Sequence, residues 1–154
     1  MRRLLCTIGF TGKSAEEFFG LLAEAGVAGV IDVRQNRSGQ LSAFAKYPDI
    51  AYFLKRIGEI EYRHEALLAP TPELRKKYQD DKDWGAYQTA FLALLKKREV
   101  PKSLDTSAWP AKVALLCTEA GPEKCHRRLV AEVLEKYWRG KGDEIESRHL
   151  VAGE

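Results

Sequence analysis

The N-terminal part of the chain predicts a strand, a helix and a second strand in succession. Arg3–Ile8 is an apolar run typical of a strand that is buried on both faces. Ser14 and Glu17 match a capping box, and the apolar stripe that follows them stops at Gly26. Val27–Val33 is again strand-like. Because two strands joined through a helix are almost always parallel, with a right-handed crossover, this unit predicts an α/β fold.

The remainder of the chain continues the alternation of helices and strands. The predicted elements are a helix from Pro48 to Gly58, a strand over Ile60–His64, two helices starting at Thr71 and after Asp81, a strand over Lys112–Cys117, a helix over 122–138 and a strand over Glu144–Leu150. The helices after Thr71 are interpreted as a covering insertion, and Lys112–Cys117 as the central strand. We therefore predict a single-domain α/β fold over residues 1–154. Its mainly parallel central sheet has about five strands flanked by helices, in a Rossmann-like three-layer sandwich with a helical insertion.

The composition is that of a soluble globular domain, with 45% hydrophobic and 31% charged residues in a chain of 154. No apolar run approaches the ~20 residues that span a bilayer, and the N-terminus lacks a signal-peptide core. We therefore expect a cytoplasmic protein without a membrane partner. Three cysteines without disulfide-framework spacing fit reduced thiols, and a net charge of +3 permits a nucleic-acid partner without favouring one. Trp84, Trp109 and Trp138 are interpreted as core residues.

All three histidines fall at the predicted carboxyl edge of the sheet. His64 and His149 lie at strand ends, and His126 lies at the start of the last long helix. Ligands of open parallel sheets bind beyond the carboxyl ends of the strands. We therefore expect the three histidines to mark one functional site.

The stretch from Cys117 to Arg128 is the strongest indication of function at this edge. The first turn of its helix is predicted to hold Cys125, His126 and Arg127, although the electropositive start of a helix favours acidic side chains. Such a basic turn becomes favourable when an anion binds there. We predict that Arg127 and the backbone N–H groups of residues 123–125 bind a phosphate. His126 is then a proton donor or a further contact to the anion.

The cysteines allow more than one interpretation. Cys117 ends a buried strand and is interpreted as a small apolar side chain, whereas Cys125 lies beside basic residues that favour a thiolate. Successive helical residues point about 100° apart, so Cys125 is expected to support ligand binding rather than to react. Cys6 could join the other two cysteines and His126 in a zinc site, a minor alternative because no C-x-x-C pair occurs. The site is therefore predicted without a metal.

Asp32 and Arg34 end the second predicted strand and have two candidate roles. They form either a structural ion pair, or a functional pair in which Arg34 binds a ligand oxyanion and Asp32 acts as an acid or base. Their position at a strand end favours the functional pair. In the loop that follows, Asn36 and Gln40 are candidates for amide recognition, and Phe44 is a candidate for ring stacking.

Known phosphate and cofactor motifs are incomplete in this chain. Gly9–Ser14 resembles the end of a P-loop, but Thr7 stands where that motif requires glycine. It is interpreted as a strand–helix turn with a serine cap, in which Lys13 makes at most a minor anion contact. The dinucleotide motif G-x-G-x-x-G is absent, so no cofactor is predicted. Glu119, in the loop before the last helix, is either a general base or a salt-bridge partner.

Several of these motifs together resemble the domain-of-unknown-function 488 family of bacteria and archaea. The resemblance runs in order through Thr7–Phe10, Asp32–Arg34, Ile60–His64, Leu115–Glu119 and Cys125–Arg127. Its most specific part is Cys-x-Glu followed by Cys-His-Arg. The chain departs from many members at Phe10, where they have a histidine, and it is similar to a subgroup with Asn and Gln-Leu-x-x-Phe in the loop after the second strand. The resemblance implies an α/β sandwich and no particular reaction, with a shared site formed by Asp32, Arg34, Glu119, Cys125, His126 and Arg127.

Two functions are compatible with these residues. The first is an enzyme, most simply a cofactor-independent hydrolase, that acts on a phosphorylated small molecule, a nucleotide or a nucleic acid. Arg34 and Arg127 would clamp the anion, and Asp32 or Glu119 would act as the acid or base. The alternative is a non-catalytic regulatory module in which the same basic helix start docks nucleic acid or a partner protein.

Overall fold

A computed structural model describes residues 1–38, 42–119, 121 and 123–152, and it contains one five-stranded sheet in the order β3-β2-β4-β1-β5. All neighbouring strands pair in parallel. The elements are β1 (Arg2–Gly9), α1 (Ala15–Ala25), β2 (Gly29–Asp32), α2 (Asp49–Gly58), β3 (Glu61–His64), α3 (Pro72–Asp81), α4 (Trp84–Lys97), β4 (Lys112–Cys117), α5 (His126–Gly140) and β5 (Glu144–Leu150). The predicted α/β fold is confirmed, including the central position of β4.

The two faces of the sheet are covered by separate hydrophobic clusters. On β4, Leu115 and Cys117 belong to the cluster that contains residues of α4 and α5, whereas Leu116 belongs to the cluster that contains residues of α1 and α2. Cys6 of β1 also belongs to the α1–α2 cluster. The alternation of side chains along parallel strands thus produces the three layers, and it places Cys6 and Cys117 on opposite faces of the sheet.

Local capping explains where the helices next to the functional edge begin. The predicted capping box of α1 is present, since Ser14 Oγ accepts from Glu17 N and Ser14 N donates to Glu17 Oε1. The prediction of a helix from residue 122 is wrong. The backbone of Cys125 is extended (φ −136°, ψ 138°), so Cys125 is the N-cap and α5 begins at His126. Pro122, the first residue of the predicted helix, lies outside the described residues.

Helices α3 and α4 form the predicted insertion. Thr71 and Asp83 cap them by accepting hydrogen bonds from Leu74 N and Ala86 N. α4 packs on the sheet through its buried residues Tyr87, Phe91 and Leu95.

The three tryptophans have different environments. Trp109 and Trp138 are buried as predicted, but Trp84 is only half-buried and faces a cavity described below. No helix within the described residues is sufficiently long and apolar for a membrane span.

Candidate functional site

A cavity of about 300 Å³ opens at the carboxyl edge of the sheet, where β2 and β4 end and α5 begins. The insertion α3–α4 contributes a large part of its lining. Grouped by chemistry, the lining residues are the cations Arg34, Arg75, Lys82 and Lys124, the aromatic residues Tyr78, Trp84 and Tyr87, the amides Gln35, Asn36 and Gln79, the thiols Cys117 and Cys125, and Thr118, Glu119 and His126.

Cys117, Cys125 and His126 come together at this cavity. Their side-chain sulfur and nitrogen atoms all lie within 4.8 Å of one another, and all three residues are buried. Cys117 Sγ lies 3.4 Å from His126 Nδ1. His126 Nε2 lies 2.7 Å from the carbonyl oxygen of Val33. Since a carbonyl oxygen can only accept, Nε2 carries the proton and Nδ1 faces the sulfur.

The two thiols of this cluster have opposite tendencies to ionise. Burial by itself would raise the pKa of Cys117, but hydrogen bonding to Cys125, the charge of Arg127 and nearby backbone N–H groups lower this pKa overall. Burial and the neighbouring Cys117 raise the pKa of Cys125 well above its ordinary value of 9.0. Of the two thiols, Cys117 is therefore the one whose pKa lies below its ordinary value.

His126 is engaged at both ring nitrogens by protein groups, Val33 on one side and Cys117 on the other. Its ring also meets Phe91 edge-on at 5.4 Å. This arrangement fixes the ring rather than presenting a free N–H to the cavity. The predicted role of His126 as a proton donor therefore has less support than a role in organising the thiols.

Arg127 does not line the cavity, although the sequence predicts that it clamps the anion. Its side chain is fully buried, and Nη1 donates to the carbonyl oxygen of Glu119 at 2.5 Å. Gly9 explains how the loop comes so close, because a Cβ at this position would collide with the Glu119 carbonyl and lie 2.7 Å from Arg127 Nη1. Arg127 thus holds the loop after β4 against the end of β1.

Asp32 and Arg34 form a closed ion pair beside the cavity. Arg34 Nε and Nη2 donate to the two carboxylate oxygens of Asp32, each at 2.9 Å, and the Tyr62 hydroxyl donates to Asp32 Oδ2 at 2.5 Å. Arg34 is among the lining residues, whereas Asp32 is fully buried and is not. This geometry favours the structural ion pair over an acid–base role for Asp32.

The loop after β2 contributes less than predicted. Asn36 lines the cavity, and its Oδ1 accepts from Ser38 N at 3.1 Å. Gln40 lies outside the described residues. Phe44 packs against the rings of Phe18 and Phe19, at centroid distances of 5.3 and 5.8 Å. The prediction that Phe44 stacks on a ligand is not matched, since its ring belongs to the α1–α2 side of the protein.

The expectation that the three histidines share one site is wrong. His64 contacts the carbonyl oxygen of Arg34 through Nε2 at 3.3 Å and does not line the cavity. His149 lies beside a different depression, and its Nδ1 is 2.6 Å from Thr7 Oγ1. Burial lowers the pKa of His149 from its ordinary value of 6.5. Only His126 of the three lies at the cavity.

Sequence reasoning missed the contribution of the insertion. The sequence pattern singles out neither Arg75 nor Lys82, and it places Trp84 in the core. The available signal was that this insertion follows β3 and must pack beside the carboxyl end of that strand. Arg75 Nη1 donates to Gln35 Oε1 at 2.9 Å and so joins α3 to the loop after β2.

The order of motifs around this edge has a counterpart among protein families. The family profile described as "Domain of unknown function DUF488" matches residues 14–134. The chain belongs to this family. The DUF488 match covers Asp32, Glu119 and the whole of Cys117–Arg127, and it ends within α5. No curated protein and no solved structure matches the chain. Membership in DUF488 confirms the resemblance inferred from the motifs and assigns no reaction.

Proposed function

We propose that this protein binds a phosphorylated ligand with a planar ring, such as a nucleotide, in the cavity at the carboxyl edge of the sheet, and hydrolyses it. The observation that carries the proposal is the charge of the lining. The described lining contains four cations and one carboxylate. The cations are Arg34, Arg75, Lys82 and Lys124, and the carboxylate is Glu119. Clefts lined by one sign of charge concentrate ligands of the opposite sign.

The cations differ in how far they are already neutralised. Arg34 is paired with Asp32, so its charge is largely compensated within the protein. Arg75 instead donates to the neutral amide of Gln35, and it keeps a full charge for an anion. A guanidinium binds phosphate oxygens through two parallel hydrogen bonds. Arg75 is therefore the leading anion contact in the proposed complex.

The aromatic wall favours a ligand with a ring. Trp84 and Tyr87 stack with a centroid distance of 5.2 Å and an interplanar angle of 21°. The guanidinium of Arg128 lies 5.9 Å from the Trp84 ring on α4, which helps to fix the indole. Stacking on an aromatic side chain contributes about 1–3 kcal/mol per base. A cavity of about 300 Å³ is also at the lower end of the size range of small-molecule sites.

Glu119 is the proposed general base. Its side chain is exposed at the cavity, while its carbonyl oxygen is held by Arg127. In the proposed reaction the carboxylate accepts a proton from a water molecule, the water oxygen bonds to phosphorus, and the bond to the leaving oxygen breaks. General-base assistance of this kind contributes typically 10²–10⁴-fold to the rate, so roughly that loss is expected for Glu119→Gln.

Isothermal titration calorimetry with nucleoside mono-, di- and triphosphates, a nucleoside and inorganic phosphate tests the proposal. Wild type should bind at least one nucleotide more tightly than the matching nucleoside. Arg75→Gln should weaken that binding. Arg56→Gln is the matched control, because Arg56 is exposed on α2 and lies outside the cavity lining. Equal binding by Arg75→Gln and the control would contradict the proposal.

The alternative of a nucleic-acid-docking module gives a different result. Such a module should bind oligonucleotides without binding mononucleotides, and its affinity should fall steeply as salt is added. The concave shape of the site favours the small ligand. Oligonucleotide binding that survives Arg75→Gln would place the interaction elsewhere on the surface.

A further inference from the structure

We propose that Cys117, Cys125 and His126 form a binding site for a thiophilic divalent metal ion, of which zinc is the best match. Two thiolates and one imidazole are a ligand set that zinc favours, whereas magnesium and calcium prefer oxygen ligands. The cluster contains two consecutive residues at the start of α5 and one residue from the end of β4. The sequence gives no C-x-x-C signal for it, because the fold rather than the spacing joins the two cysteines.

The distances agree with tetrahedral coordination. With Zn–S near 2.3 Å and Zn–N near 2.0–2.1 Å, a tetrahedral ion separates sulfur and nitrogen ligands by about 3.6 Å and two sulfurs by about 3.8 Å. Cys117 Sγ and His126 Nδ1 are 3.4 Å apart, and all three pairs of ligand atoms lie within 4.8 Å. One ion can therefore contact all three atoms after sub-ångström adjustments of the side chains.

The surrounding hydrogen bonds leave the ligand atoms of His126 and Cys125 available to a metal ion. A metal-binding histidine usually donates its second ring N–H to a carbonyl or carboxylate, which fixes the tautomer that binds the metal. His126 Nε2 does this with Val33 O at 2.7 Å and leaves Nδ1 directed at the sulfur. Cys125 is the N-cap of α5, but its side chain makes no capping hydrogen bond. Its sulfur is therefore not committed to the helix.

The number of protein ligands indicates the type of site. Cys6 cannot be the fourth ligand, because it lies on the opposite face of the sheet from Cys117. Catalytic zinc sites have three protein ligands and leave one position for water or substrate, whereas structural sites have four. Among the described residues this cluster offers three ligand atoms, and all three residues line the cavity. We therefore infer that the fourth position is open to water or a ligand from the cavity. The proposed metal site does not depend on the proposed nucleotide binding, and its test requires no nucleotide.

Cobalt(II) and zinc(II) titrations of the reduced, chelator-treated full chain test the inference. Cobalt bound by two thiolates and one imidazole should give thiolate-to-metal charge transfer and the intense visible bands of tetrahedral cobalt, at about one equivalent per chain. Zinc should displace it. Elemental analysis of protein purified without chelator gives an independent count.

Variants locate the ion. Cys117→Ser and Cys125→Ser should each lose the tetrahedral spectrum, and Cys6→Ser, the matched control, should keep it. Circular dichroism shows which variants remain folded. The titration of wild-type protein tests the inference even if the variants do not fold. Reduced wild-type protein that binds neither cobalt nor zinc would overturn the inference. So would loss of the tetrahedral cobalt spectrum in Cys6→Ser protein that remains folded.

Discussion

Replacing Arg34 with methionine should strongly destabilise the protein, because it leaves the Asp32 carboxylate buried without its partner. Asp32 is 0% exposed and Arg34 is 4% exposed, so the carboxylate has little contact with bulk solvent and depends on the guanidinium for compensation of its charge. Two of the hydrogen bonds to the carboxylate disappear, and those from Tyr62 and the backbone N–H of residue 34 remain. Removing one member of a buried ion pair typically costs about 3–5 kcal/mol. We expect a loss of that size, which corresponds to a fall in melting temperature of roughly 6–20 °C.

Urea denaturation followed by circular dichroism measures this loss, with Arg148→Met as the control. Arg148 also pairs with a carboxylate two residues away, Glu146, but both side chains are about half exposed. The control should remain close to wild type. Adding Asp32→Asn to Arg34→Met should recover part of the loss, because it removes the unpaired charge. A change below about 1 kcal/mol for Arg34→Met, or no recovery in the double variant, would refute the assignment of a structural ion pair.

The remaining predictions concern stability. Gly9→Ala should cost about 3 kcal/mol or more because its Cβ has no space. Gly20→Ala, on open helix surface, should instead stabilise by about 0.5–1 kcal/mol, and the reverse order in urea denaturation would contradict both. Ser14→Ala should cost about 1 kcal/mol through loss of the α1 cap, and unchanged stability would show the cap to be dispensable. The Arg3 side chain lowers the pKa of Asp143 from its ordinary value of 3.8. This carboxyl therefore stabilises the fold above pH 3.8 and loses that effect as the pH falls further. In Asp143→Asn the free energy of unfolding should therefore fall less steeply than in wild type as the pH drops below 3.8. An unchanged pH dependence would contradict this.

The architecture was predictable because it depends on local signals. Two parallel strands that are connected through a capped helix are compatible with few sheet topologies. The run Lys112–Cys117 is apolar enough to require a position inside the sheet, and it is the central strand. The least accurate boundary was the start of α5. Gly121 and Pro122 signal a helix start, but Cys125 keeps an extended backbone and delays α5 to His126.

The composition of the site was less predictable, because it depends on which side chains turn toward the cavity. Sequence position places Arg127 beside His126, yet successive helical residues diverge by about 100°, and Arg127 turns inward to the Glu119 carbonyl. Arg75 and Trp84 reach the cavity from an insertion. Its place after β3 indicates where it packs, but no local pattern specifies which of its side chains turn toward the cavity. The pairing of Cys117 with Cys125 likewise depends on the path of the loop between them.

The central claim is that the cavity beside α3 and α4 is the ligand site, and the indole N–H signals of the three tryptophans test it most directly. Trp84 lines the cavity, whereas Trp109 and Trp138 are buried away from it. These signals are recorded in a nitrogen–proton correlation spectrum, and Trp84→Phe assigns the signal of Trp84. A saturating concentration of a nucleotide that binds should shift the Trp84 signal and leave those of Trp109 and Trp138 in place. A nucleotide that binds while the Trp84 signal stays unchanged would contradict the claim.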